Sequence, residues 1–344
     1  MDDTTSGLIE LVKQRETIPD SGAAYTDSVL LNFLDQALKG FITPAIEATL
    51  EEHFVVTMDT QMPTLPSYSA SSPPVDVANW LLVPGESSGL RLRDVYVVGN
   101  DGTFYNLPRL TPTQAAAQGF GNINWSIQYN NQTNAIGGFY LQGNQLQIFP
   151  YGLASGKLIR ITYQRPPADL CLTTDAGKVI THNGDVCTLD KVLPWYGGIT
   201  RVNVISGQLP HDYVQDASIP TTVYTSYAPL NNILLADCVG NLITLPVGTG
   251  TNIQVGDWVC PQGQSVFAQN IPKDLLPVLV QKAASMVLES AGDRVGWQTA
   301  DKTYTDMIKM ALLMIAPRVI GKPIKLIPVN SAFKASRIRG WGRR

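Results

Sequence analysis

The three histidines are the side chains of this sequence best suited to acid–base chemistry near neutral pH. His53, His182 and His211 are far apart, and none has a second histidine at short spacing. A serine or cysteine nucleophile needs a histidine or an equivalent base held against it. A zinc site needs several histidine or cysteine ligands, as in HExxH or paired CxxC motifs. Neither motif occurs, so we expect no enzyme active site, no metal and no cofactor.

The four cysteines favour a structural role. Cys171, Cys187, Cys238 and Cys260 form no CxxC pair. A chain of 344 residues can bury a large apolar core, so it does not depend on disulfides for folding. We therefore expect buried, reduced thiols.

A short glycine-containing stretch and two acidic pairs are the remaining candidates for chemistry. A phosphate-binding loop places its glycines directly before a helix, whereas Gly248-Thr249-Gly250 precedes strand-like residues, which favours a turn. Asp2-Asp3 and Glu51-Glu52 stand in polar or helix-end settings, where we expect solvated carboxylates. A carbohydrate-active enzyme on a β scaffold would need two converging acids. It stays open as a third hypothesis, although the sequence singles out no such pair.

Helical patterns at both ends of the chain flank a β-rich centre. In residues 1–53 an amphipathic face is formed at three- and four-residue steps by Leu30, Phe33, Leu34, Ala37, Leu38 and Phe41. We expect Gly40 to end that helix and Pro44 to lie in the first turn of the next one. Residues 54–167 and 168–271 contain short strand patterns separated by turn residues, which predicts two β-rich modules.

Residues 272–316 predict a second pair of helices, with Pro317 as the stop. The packed face of the last helix is predicted to contain Ala300, Tyr304, Met307, Ala311 and Met314, at a spacing that suits a seam within the chain or between chains. The fold class is therefore α+β: the terminal helices form one helical domain, and sandwich- or barrel-like β modules lie between them. Residues 317–344 are expected to be an extended tail.

Charge is distributed unevenly along the chain. Charged residues make up only 15% of the sequence, against about 25% in average soluble domains. Eight of the 25 basic residues and no acid lie in residues 317–344, which leaves 17 basic and 28 acidic side chains, a net charge of −11, in the rest. Basic and apolar side chains alternate in the candidate docking residues Arg318, Phe333, Lys334, Arg337, Ile338, Arg339, Trp341, Arg343 and Arg344.

Three interpretations of this tail remain open. It could be a solubilising end, a nucleic-acid arm that binds phosphates and weakens steeply with salt, or a docking arm with aromatic anchors and arginines on an acidic rim. We favour the docking arm, because a solubilising tail has no need of Phe333 and Trp341. The charges alone do not separate the docking arm from the nucleic-acid arm.

Several short phrases resemble a known family. They are Leu31-Asn32-Phe33-Leu34, Leu90-Arg91-Leu92-Arg93-Asp94-Val95 with Leu107-Pro108-Arg109-Leu110, the stretches 143–150 and 158–166, and the C-terminal helix pair followed by Pro317-Arg318-Val319. In this order they resemble the head-to-tail adaptor, or neck and connector, proteins of short-tailed bacteriophages. The resemblance covers about two thirds of the chain and is weakest in residues 168–270.

The resemblance implies a structural virion protein in the neck or tail, assembled in the host cytoplasm. Such adaptors bind the portal protein as a homomeric ring, often a dodecamer. They extend the channel for genomic DNA and carry the tail nozzle, tube or fibre proteins. Residues 317–344 would be the extension that reaches the portal. This chain departs from the smallest, mostly helical relatives in its large β content.

The composition agrees with that implication. Low charge suits sides buried against copies of the same chain, and an acidic channel wall would repel DNA phosphates. No apolar run approaches the roughly 18 residues of a membrane helix, and the polar start does not resemble a signal peptide. The alternative hypothesis is another tail component, such as a nozzle, tube or fibre-attachment protein, which the β content also allows.

Overall fold

The computed structural model has a helical unit, built from both ends of the chain, and two β-rich units. The residues it describes are 2–16, 25–50, 52–61, 92–99, 102–111, 113, 138–142, 145–149, 156–165, 167–195, 201–220, 225–230, 233–250 and 252–315. Everything said below about the structure concerns those residues. Among them no helix is both long and apolar enough to cross a membrane.

Five α-helices form the helical unit. They are α1 (Thr5–Glu16), α2 (Asp27–Ala37), α3 (Thr43–Thr49), α4 (Leu276–Ala291) and α5 (Arg294–Ile315). Both helical ends contribute to one apolar core, in which Leu8 and Val12 of α1, Leu34 of α2 and Leu279 of α4 are fully buried. The predicted joint helical domain is thus present.

Gly40 does not end the second helix, contrary to the sequence-based expectation. A π-helical turn, Leu38–Ile42, joins α2 directly to α3. A glycine inside a helix costs only about 1 kcal/mol relative to alanine, and Leu38 and Ile42 on either side of it are fully buried. Burial of these two side chains outweighs the weak local signal. Pro44 lies in the first turn of α3, as expected.

The first β unit contains a four-stranded antiparallel sheet. Its strands β1 (Val55–Gln61), β2 (Leu92–Val98), β3 (Phe104–Leu107) and β6 (Leu158–Gln164) lie in the order β1-β6-β2-β3. Val95 lies opposite both Leu107 and Ile161, and all three are buried. A hairpin of β4 (Gly138–Gln142) and β5 (Gln145–Phe149) adds Phe139, Leu146 and Ile148 to this core.

The second β unit is a curled seven-stranded sheet. Its members are β8 (Gly177–Asn183), β9 (Val186–Leu189), β10 (Arg201–Ile205), β13 (Ile233–Leu234), β14 (Asp237–Val239), β15 (Leu242–Thr244) and β16 (Trp258–Pro261). The order is β13-β10-β16-β8-β9-β15-β14. Only two residues separate β13 from β14 in the chain, although these strands are the two edges. The sheet must therefore bend back on itself around its apolar core.

Two short strands and a hairpin complete this unit. β7 (Asp169–Leu170) pairs in parallel with β17 (Gln264–Ser265), and β11 (Gln215–Pro220) pairs with β12 (Thr225–Pro229). The α+β class, the terminal helices in one domain and the barrel-like β module between them are confirmed. The domain boundaries and the extended tail stay predictions.

Candidate functional site

All nine candidate docking residues of the tail lie outside the described residues. They are Arg318, Phe333, Lys334, Arg337, Ile338, Arg339, Trp341, Arg343 and Arg344. The structure describes α5 as far as Ile315, two positions before the tail begins in the chain. The candidate functional surface is therefore built from α5 and the residues that hold it.

The inner face of α5 packs on the helical core. Ala300, Tyr304 and Ala311 are buried there, and Met307 packs against the same cluster while remaining partly exposed. This is the seam expected from the spacing, and it is intramolecular. Met314 was predicted to belong to it, but 67% of Met314 is exposed. Ile315, the next residue, packs against the core instead.

The outer face of α5 changes character near the end of the helix. Apart from Val295 in the first turn, its earlier part is exposed and polar, with Gln298, Thr299, Lys302, Thr303, Asp306 and Lys309. The last two turns instead expose Met310 (58%), Leu313 (68%) and Met314 (67%). These three residues, here called the terminal apolar face, lie three and four positions apart, so they share one side of the helix. The basic tail, residues 317–344, follows shortly after them in the chain.

Lys282 of α4 anchors α5. Its side chain is 10% exposed, and its ammonium donates a hydrogen bond to Oδ1 of Asp301 at 2.8 Å. The same nitrogen lies 4.2 Å from the centroid of the Phe41 ring and 4.9 Å from that of Tyr304. Burial, and secondarily the charge of Asp301, raise the pKa of the Tyr304 phenol. These contacts present the terminal apolar face on a fixed helix.

The histidines are engaged in structural contacts. Nε2 of His211 lies 2.9 Å from Oδ2 of Asp3, and Nδ1 lies 3.2 Å from the carbonyl oxygen of Ser206. The ring stacks on Phe267 at 3.9 Å. A serine nucleophile would need its hydroxyl at the histidine nitrogen, whereas Ser206 presents its carbonyl. The Oγ of Ser206 accepts a hydrogen bond from the Gln208 amide.

The other two histidines lie in different surroundings. Nε2 of His53 lies 2.6 Å from the carbonyl oxygen of Asn270, and His182 is exposed on β8. Within the described ranges no group of three or more His, Cys, Asp or Glu side chains could hold a metal ion.

Asp3 was expected to be solvated, and that expectation is wrong. Its carboxylate meets His211, 208 positions away, and its side chain is 24% exposed. Asp2 accepts a local hydrogen bond from the Thr4 amide, whereas Glu51 lies outside the described residues and Glu52 is exposed. No spacing in the sequence could reveal the Asp3–His211 pair, because only the fold brings α1 against the second β unit.

The glycine stretch forms an internal anion site. Oδ1 of Asp185 accepts hydrogen bonds from the amides of Gly248 and Gly250 at 3.1 and 2.9 Å. These backbone amides lower the pKa of the Asp185 carboxyl. Amides that could cradle a phosphate therefore already bind a carboxylate of the chain itself, and the expected turn is present.

A polar groove lies beside this part of the second β unit. Its volume is about 300 Å³, and Gln208, Leu209, Asp212, Gln254 and Asp257 are among its lining residues. Asp212 pairs with the buried Arg165, and the Asp257 carboxylate accepts hydrogen bonds from the amides of Gly207 and Gln254 at 3.0 and 2.7 Å. Both acids are therefore committed to holding loops and strands together.

No protein-family model matches the chain, and no curated protein matches it significantly.

Proposed function

We propose that this chain is a structural virion protein, a head-to-tail adaptor that forms a homomeric, dodecameric ring between the portal protein and the tail. The observation that carries the proposal is the terminal apolar face, Met310, Leu313 and Met314, which leads directly into the basic and aromatic tail. A surface for a macromolecular partner would therefore consist of a rigid apolar patch and an adjoining charged arm.

The energetics of the terminal apolar face support a contact role. Exposing three large apolar side chains on adjacent turns to water contributes no stabilising free energy to the chain. Contiguous exposed apolar patches mark interaction sites more often than scattered apolar residues do. Leu313 and Met314 are each about two-thirds exposed, so a partner would remove most of their surface from water. Arginines and aromatic residues, which are enriched in binding hot spots, follow in the tail.

The charge distribution supports the placement around DNA. The chain outside residues 317–344 carries a net charge of −11. In a ring, many copies of such an acidic body would repel phosphates and allow genomic DNA to pass without sequence-specific binding. The same negative charge would complement the basic tail of a neighbouring copy, and the positive charge of the tail would draw it towards an acidic portal surface.

Co-sedimentation with the candidate portal ring tests this proposal. We expect the full-length chain to sediment with the portal and a chain ending at Ala316 to remain in the supernatant. Binding that persists at high salt would indicate aromatic anchors, because salt screens exposed charges. Failure of the full-length chain to bind the portal, together with its absence from virions, would overturn the proposal.

A matched pair of variants separates the helix from the tail. Met310→Gln/Leu313→Gln/Met314→Gln removes the terminal apolar face, while Gln298→Ala/Lys302→Ala/Asp306→Ala changes the polar part of the same exposed side. We expect only the first triple variant to weaken ring formation or portal binding. Equal binding by both variants would assign the contact to another surface.

A nozzle, tube or fibre-attachment role is the second candidate. It is favoured by apolar residues on the outer face of the second β unit, where Val239 is 61% exposed and pairs with Leu242, which is 42% exposed. Electron microscopy of labelled virions distinguishes the two roles. Density for the adaptor touches the portal, whereas density for a nozzle or fibre component does not.

A further inference from the structure

Two of the four cysteines are brought together by the strands that join the helical unit to the second β unit. Cys171 directly follows β7, and Cys260 lies in β16. The Cys171 amide donates a hydrogen bond to the Ser265 carbonyl at 2.9 Å, and Ser265 is only five residues after Cys260. The chain turns between them at Gly263, which has a φ of 74°.

The two thiols are adjacent inside one core cluster. Cys171 is 3% exposed and Cys260 is fully buried, and they share that cluster with Ala176, Val266 and Phe267. Their side chains are within hydrogen-bonding reach of each other, and both are unbridged. The pairing of β7 with β17 and the turn at Gly263, which leads from β16 into β17, account for this proximity.

The other two cysteines provide an internal comparison. Cys187 of β9 and Cys238 of β14 both lie opposite Ile243 of the intervening strand β15. Strands two positions apart are separated by about 10 Å, whereas a disulfide needs Cα atoms no more than about 7 Å apart. An intervening strand therefore separates Cys187 from Cys238, whereas Cys171 and Cys260 lie in one core cluster.

We propose that Cys171 and Cys260 are a site of intramolecular disulfide formation, oxidised by a low-molecular-weight disulfide such as oxidised glutathione. The thiolate of one cysteine attacks the glutathione disulfide, which forms a mixed disulfide and releases one reduced glutathione. The second protein thiolate attacks the protein sulfur of that mixed disulfide and releases the second glutathione. Two thiols are oxidised, one glutathione disulfide is reduced, and the two protons end on the two glutathione thiols.

Burial makes this reaction slow in the folded protein. Thiolate is the attacking species, and the hydrogen bond with Cys260 together with burial raises the pKa of the Cys171 thiol. The pair thus stays reduced in a reducing cytoplasm and oxidises when the protein folds or partly opens in an oxidising medium. The bond would close a loop from residue 171 to residue 260.

The position of the bond determines its consequence. Leu170 and Leu172, the neighbours of Cys171, pack against the helical core, and Thr5 at the start of α1 donates a hydrogen bond to the Cys171 carbonyl at 2.7 Å. A Cys171–Cys260 bond would covalently attach this junction to the second β unit. We expect the oxidised protein to unfold at a higher urea concentration than the reduced protein.

The test is refolding of the full chain in a glutathione redox buffer, followed by alkylation and peptide mapping by mass spectrometry. We expect a Cys171–Cys260 linked peptide, lost on reduction, while Cys187 and Cys238 remain alkylated. Folded protein in the same buffer should give the same link more slowly, and mild urea should speed its formation. Alkylation of all four cysteines under every condition would overturn the proposal.

Variants keep the test independent of folding defects. The Cys187→Ser/Cys238→Ser chain retains the proposed pair and should form the link and migrate faster on a denaturing gel without reductant. Cys260→Ser should lose both signals. A linked peptide that joins Cys187 to Cys238 would contradict the assignment, and so would persistence of the compact band in Cys260→Ser. The peptide map of the wild-type protein does not depend on the folding of any variant.

Discussion

The two C-terminal helices follow one another in the chain and have opposite relations to solvent. α4 has nine buried residues among 16, whereas α5 has three among 22. α4 contacts α1, α2 and α5, while α5 packs mainly on α4. The difference teaches that α4 organises the helical unit and that α5 is held by one face, which leaves its other face and its end available to partners.

The largest effect is expected in the centre of α4. Leu279→Ala removes a fully buried side chain and should lower the free energy of unfolding by about 2–5 kcal/mol, because a cavity is left in a packed core. Leu313→Ala on α5 is the matched control and should stay within about 0.5 kcal/mol of wild type. Urea unfolding followed by circular dichroism measures both, and equal losses would remove the distinction between the helices.

The next effect concerns the contact that joins the helices. Lys282→Ala removes a hydrogen bond to Asp301 and the cation from the faces of Phe41 and Tyr304. We expect a loss of about 1–3 kcal/mol in the free energy of unfolding. Lys302→Ala, at an exposed neighbour of Asp301, should change little. A double-mutant cycle with Phe41→Leu should give a measurable coupling energy; strict additivity would mean that the ring does not contribute.

A smaller effect is expected at the turn between the helices. Gly292 ends α4 with a left-handed φ of 79°, and its amide donates to the Glu289 carbonyl. Gly292→Ala should cost about 1 kcal/mol, because a side chain disfavours this backbone conformation. Gly292→Asn should cost less, since asparagine tolerates the left-handed region. A lower thermal unfolding temperature for Gly292→Asn than for Gly292→Ala would contradict this explanation.

The smallest effect appears only at alkaline pH. The pKa of Tyr304 is raised by burial and then by Asp301, so the folded state favours the neutral phenol. Its contribution to stability is complete below the pKa of unfolded tyrosine, about 10, and is lost as the pH rises through the folded value. Unfolding followed from neutral to strongly alkaline pH should show less alkaline destabilisation in Tyr304→Phe than in wild type, and identical profiles would show that Tyr304 is not buried by α4.

Much of the secondary structure was predictable from local patterns. Short strands were expected within residues 54–167, and β1 to β6 of the first β unit lie there. The inner face of α5 followed from its spacing as far as Ala311. The predictions for Gly40 and Met314 were wrong. Whether a position on a helix is buried depends on which neighbouring elements pack against it, and the spacing of residues along the helix does not contain that information.

Candidate chemistry was less predictable than the elements. The lack of clustered catalytic motifs favoured a binding surface over an active site. Gly248–Gly250 was correctly predicted to form a turn. Its hydrogen-bond partner Asp185 could not be inferred from the sequence. The Asp3–His211 and Cys171–Cys260 contacts join residues 208 and 89 positions apart. Such pairs leave no periodic signal in a single sequence.

The sequence by itself determined the α+β class, the helical ends, the short strands and the division into an acidic body and a basic tail, because periodicity, turn residues and charge are local properties. Only the tertiary structure decided that α4 is central, that the seven strands bend back on themselves and that Met310, Leu313 and Met314 face solvent. It also decided which two of four cysteines meet. These outcomes depend on which surfaces pack together, and packing joins residues whose separation along the chain carries no information about their distance in space.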